Sequence, residues 1–144
     1  MRRGFSLLGD GQFVASFLDL AMSATLGPDA VTPLCAMSSV RATCILPTVY
    51  DPHLAHVLAN SANWYATDSK QRALTQLTQG LVLTSLGKWQ SAQALLLQIP
   101  EDDRSTLADY NSYLAAAHGR VPIRRSPEDF ARRIVQLFQD SEVR

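Results

Sequence analysis

His53 and His56 stand three residues apart, shortly after Asp51. On a helix this spacing puts both imidazoles on one face, and with Asp51 they could offer nitrogen and oxygen donors to a metal. No third or fourth ligand follows from the spacing. The pair is therefore read as surface or interface histidines, with no metal assigned. None of the serines occupies a strained strand-to-helix elbow that would make it a nucleophile. Cys35 and Cys44 have no His or Asp beside them. Nine residues apart in a helical stretch, they would lie about 13 Å from each other, beyond disulfide reach. Reduced, buried thiols of a cytoplasmic protein are expected. Gly80 and Gly87 form no phosphate-cradling loop. Acidic residues gather at helix starts, where capping accounts for them. The chain is accordingly not expected to be an enzyme, and no cofactor is assigned.

What remains is the chemistry of contact. Leu74, Leu77 and Leu81 recur at i, i+3 and i+7 and make one apolar stripe. Such a stripe can hold the apolar face of an amphipathic helix; alternatively it packs on the chain's own third or seventh helix. Trp64 and Tyr65, just upstream, are either aromatic anchors for a partner or core aromatics.

Composition narrows the partners. The 144 residues carry 13 basic and 13 acidic side chains, and 47% are apolar. A neutral chain leaves no electrostatic footprint for nucleic acid. The cluster Arg120, Arg124, Arg125, Arg132 and Arg133 is read as a solvated face near a helix end. Charge is unevenly spread: residues 1–66 hold seven charged side chains and residues 67–144 hold nineteen. Gly11–Leu26 has one charge and is apolar nearly all round. It is expected either to form a central core helix or to pack on another chain, as a homo- or hetero-oligomer. No stretch is long and apolar enough to span a bilayer, and Asp10 with its neighbouring glycines interrupts the N-terminal apolar run too early for a signal peptide.

Breakers divide the chain into about seven helices. These are expected near Gly11–Leu26, Asp29–Leu46, Asp51–Tyr65, Asp68–Leu86 and Trp89–Ile99, then from Glu101 to Gly119, then from Ser126 to about 140. Asp51-Pro52 reads as an N-cap followed by proline at the first helical position, and Ser126-Pro127 reads likewise. No β-branched run of strand length occurs. The expected fold is an all-α single domain over 1–144, with a charge-poor part at 1–66 and a C-terminal helix at 126–140.

Residues 73–106 carry a more specific pattern. A helix with Gly80 runs into Leu86-Gly87-Lys88-Trp89, and a second helix follows with Ala92. Gly80 and Ala92 lack bulk where two backbones must approach, and Gly87 can take a left-handed conformation. This resembles a tetratricopeptide (TPR) helix–turn–helix unit. A partial echo follows at 107–119, ending on Gly119, which is 32 residues after Gly87. There Val121 replaces the aromatic and Pro122 interrupts the second helix. No further unit is visible upstream. The TPR-like region is thus 67–119. The resemblance implies a protein-binding scaffold whose inward face includes Leu74, Leu77, Leu81, Asp109 and Tyr113, with Trp64 flanking it. In size and hairpin architecture it is similar to the small helical-repeat chaperones of bacterial type III secretion. A groove of that kind would hold an amphipathic helix or small subunit of a secreted or assembly-prone protein. The alternative is a structural or regulatory subunit that buries its N-terminal helices in a larger complex.

Overall fold

Local signals place the helices. In the computed structural model, which describes residues 29–130 and 132, the fold is all-α, with α1 (Val31–Thr43), α2 (Pro52–Tyr65), α3 (Ser69–Ser85), α4 (Trp89–Leu97), α5 (Glu101–Arg104) and α6 (Tyr110–Gly119). Residues 127–130 begin a further helix. The segment Gly11–Leu26 lies outside the described residues, as does most of the helix expected over 126–140. Among the described residues there is no strand, only an isolated parallel bridge between Cys44 and Arg125.

The starts follow capping chemistry. Asp29 Oδ1 accepts the Val31 and Thr32 amides, and Pro33 falls in the first turn of α1, where its missing amide hydrogen is not needed. Asp51 accepts the Leu54 amide at 3.0 Å ahead of Pro52. Asp68 accepts the Gln71 amide at 2.8 Å, while Gln71 Oε1 accepts the Thr67 amide in return. At the end of α3, Gly87 has φ +77°, and the Gly87 and Lys88 amides donate to the Thr84 and Leu83 carbonyls. That is a Schellman termination, and it requires the left-handed residue that glycine supplies.

One expectation needs correction. The helix predicted from Glu101 to Gly119 is two helices. Ser105 and Thr106 turn their hydroxyls onto the Asp102 and Asp103 carbonyls, a local bond that competes with helix continuation. Arg104 also turns back to cap α4, donating to the carbonyls of Ile99 and Leu97, both at 2.8 Å. Helix α6 does end at Gly119, as expected, and the left-handed residue that follows it is Arg120 (φ 56°).

Packing is hairpin on hairpin. Helix α1 lies against α2 and α3, α2 against α3, α3 against α4 and α6, and α4 against α6. An upstream hairpin, α1–α2, therefore precedes the α3–α4 pair, although the sequence displays no unit there. Central α3 carries three buried threonines, and each satisfies its hydroxyl on a carbonyl four residues back: Thr75 on Gln71, Thr78 on Leu74 and Thr84 on Gly80. That local solution lets polar side chains line a dry interior. After α6 the chain does not continue the stack. Residues 120–125 cross back to the end of α1, where the Arg125 amide donates to the Thr43 carbonyl (2.8 Å) and the Ile45 amide donates to the Arg125 carbonyl (3.0 Å). Phe130 then packs with Met37, Val40, Cys44 and Val49.

Candidate protein-binding face

The leucine stripe is interior. Leu77, Leu81 and Tyr113 are buried together with Ala73, Leu96, Ile99 and Tyr110. Leu74, half-buried, packs on the seam formed by Ala30, Val31, Leu34, Cys35 and Ala62. The covering elements are α4 and α6 for Leu77 and Leu81, whereas Leu74 packs on α1 and on α2, the third of the helices expected from sequence. The tyrosines are fixed by their hydroxyls: Tyr110 donates to the Leu96 carbonyl at 3.0 Å, and Tyr113 accepts from Arg125 at 3.0 Å. In this fold these side chains hold helices together and offer no open groove.

Trp64 has the opposite placement. It is 85% exposed, and Tyr65 beside it is 55% exposed. Both belong to α2, whose two faces are reversed in size. Ala55, Ala59 and Ala62 point inward and are fully buried, at i, i+4 and i+7. Methyl-sized side chains let α2 approach α1 and α3 closely, and Ser38 Oγ donates to the Ala55 carbonyl at 2.6 Å across that seam. The larger apolar residues Leu54, Val57 and Trp64 lie on the outside, and with Ser61 they form a stripe at i, i+3, i+7 and i+10. The Ser61 hydroxyl is engaged on the Val57 carbonyl at 3.0 Å.

Electrostatics sharpen the contrast. From Pro52 to Thr67 the chain has no formally charged side chain. An ordinary surface helix turns charge outward. This one turns out leucine, valine, tryptophan, tyrosine, two exposed histidines (His53, His56) and two exposed asparagines (Asn60, Asn63). His56 and Asn60 meet at 3.3 Å, and Gln79 donates to Asn60 Oδ1 at 3.2 Å. No group of three or more potential metal ligands occurs among the described residues.

By spacing, Leu54, Val57 and Leu58 read as one apolar set, yet only Leu58 is turned partly inward. The alanine triplet is the signal that could have shown this, since small residues at helical spacing mark a close seam and leave the bulky residues on the other side. Arg125 also departs from expectation. Rather than standing on a solvated face, it is 8% exposed. Its guanidinium lies 3.6 Å from Asp129, 3.9 Å from Asp109, and over the Tyr113 and Phe130 rings. Arg124 stacks on Tyr50 at 4.1 Å. Both arginines thus fasten the return segment to the rest of the fold.

Both cysteines are buried. Burial pushes the Cys35 thiol up to about 11, opposed by hydrogen bonds to Thr78 and Thr75. Such a thiol stays protonated at neutral pH and is a poor nucleophile.

No family model matches the chain, and neither does any curated protein or solved structure. No helix among the described residues is long and apolar enough to cross a membrane.

Proposed function

We propose that this chain is a protein-binding helical scaffold and that the outer face of α2 is its docking surface. One observation carries the reading. The helix faces solvent with Leu54, Val57, Trp64 and Tyr65 and has no charge along its length. Aromatic and aliphatic side chains of this kind supply most of the energy when they are desolvated at an interface. The partner is an amphipathic helix or small subunit, which lays its apolar face along the stripe. The stacking of successive hairpins and the Gly80, Gly87 and Ala92 turn are compatible with a TPR-like scaffold and with a chaperone that shields an assembly-prone client in the cytoplasm. Because α2 lies in the charge-poor part of the chain, the same face also supports the second reading, a subunit using its N-terminal region inside a larger complex.

The test is a photo-reactive residue at position 57 of the full-length chain in its native cell, with position 98 as an exposed polar control. A covalent adduct with a different polypeptide at 57 and not at 98 is expected. Equal labelling at the two positions, or none at 57, removes the reading. The size of the native complex then separates the two versions: a small client complex for the chaperone, a large stable assembly for the subunit.

A further inference from the structure

From the residue order along α2 we infer that its outer face pairs with a second copy of this chain, antiparallel, about a two-fold axis level with Ala59. This rests on the reading of that face as an interface and names one occupant for it. In a two-fold contact every side chain meets its own face reversed. A charged face would then oppose itself. Between Pro52 and Thr67 there is no charge to oppose, so pairing α2 with α2 meets no like-charge penalty along the stripe. The flanking Asp51 and Asp68 are engaged as caps on Leu54 and Gln71, at the ends of the stripe where solvent and salt screen them.

Size complementarity sets the register. Centred on position 59, Trp64 of one copy lies opposite Leu54 of the other, Val57 opposite Ser61, and His53 opposite Tyr65. The half-buried Ser61, with its hydroxyl already bonded to the Val57 carbonyl, offers a shallow notch for the opposing Val57. Large thus meets small in the middle, and the tryptophan overhangs the opposite leucine at each end, as packed helices require. A single helix pair buries less than the roughly 1,200–2,000 Å² of a stable interface. The dimer is therefore weak and appears as concentration rises. Self-pairing then keeps Trp64 covered until a partner helix replaces the second copy.

Sedimentation velocity on the full-length chain, over a dilution series reaching a few hundred micromolar, tests this. The wild type should shift from monomer to dimer with concentration. Leu54→Glu and Trp64→Lys each alter an exposed side chain, so circular dichroism should be unchanged, and each should weaken the dimer at least tenfold. The first places an acid near the start of the helix and the second a base near its end, which suits the helix dipole. In an equimolar mixture of the two variants, the new carboxylate of one copy faces the new ammonium of the other, and association should return above that of either variant alone. If either variant loses helical signal, Val57→Glu takes its place and should likewise dissociate the dimer. A wild type that stays monomeric throughout, variants that dimerise like the wild type, or a mixture no stronger than its components would each overturn the inference. The docking reading fails separately, through the absence of a heterologous adduct at position 57.

Discussion

The hairpins α1–α2 and α3–α4 solve the same problem in opposite ways. In α3–α4 the interior is bulky: Leu77, Leu81, Leu96 and Ile99 interlock, and one glycine makes room for them. A Cβ on Gly80 would stand 2.6 Å from Leu96 Cδ2 and 2.8 Å from its Cγ. In α1–α2 the contact face of α2 is made of alanines, and the large apolar side chains are outside. The α3–α4 hairpin buries its apolar area within the fold. The α1–α2 hairpin gains closeness of backbones and leaves the apolar area of α2 available. A hairpin that holds together through methyl groups can keep its larger apolar side chains for another surface.

The contrast can be broken most severely at Leu81. This side chain is fully buried, and Leu81→Ala should cost about 2–5 kcal/mol through lost transfer energy and a cavity, read from denaturant midpoints. A change under about 1 kcal/mol would mean the α3–α4 core is looser than described.

The dryness of the α1–α2–α3 seam has a pH signature. Cys35 holds its proton to about 11, against an ordinary 9.0, because burial disfavours the thiolate. A group with a raised folded value contributes stability in full below its unfolded value, where both states are protonated. That contribution is lost as pH climbs toward the folded value, because the unfolded chain ionises first. Across that window the wild type should lose stability relative to Cys35→Ala, by at most about 2–3 kcal/mol. Parallel curves for the two proteins would place water beside the thiol.

Gly80→Leu should destabilise by about 1–3 kcal/mol through overpacking against Leu96, and Ala59→Leu in the alanine seam should do the same. If Ala59→Leu proves harmless while Gly80→Leu does not, the α1–α2 seam is not a close contact.

Smallest of all is the effect expected at the outer face. Trp64→Ser should move monomer stability by no more than about 0.5 kcal/mol, measured at concentrations low enough to exclude association. A loss comparable to that of Leu81→Ala would place Trp64 in the core.

These differences mark what can be read from sequence. Helix starts and stops are legible because their causes lie within a few residues: Asp51 before Pro52, Asp68 ahead of α3, Gly87 after it. The break after Arg104 is harder to read, since the local Ser105 and Thr106 bonds act together with Arg104 reaching the carbonyls at the end of α4, an interaction between elements. Inside and outside are harder still. Leu77 and Leu81 and the pair Leu54 and Val57 have the same chemical character and similar spacing. Their placement is decided by what faces them: α4 and α6 cover the former, while alanines on the opposite side of α2 turn the latter out. Arg125 looks like a surface charge because Asp109, Tyr113 and the carbonyl of Thr43, which hold it, are distant in sequence.

The backbone bond between the return segment and the end of α1 has a consequence for how this chain folds. Cys44 and Arg125 are 81 residues apart, whereas each hairpin joins near neighbours along the chain. Stacked hairpins alone unfold piecemeal, because each depends only on the next. A clasp from last to first costs loop-closure entropy that must be met before it forms, so it closes after the hairpins have assembled. Once closed, neither end of the stack can fray without breaking it. An array that would otherwise melt unit by unit becomes a ring in which the hairpins are lost together.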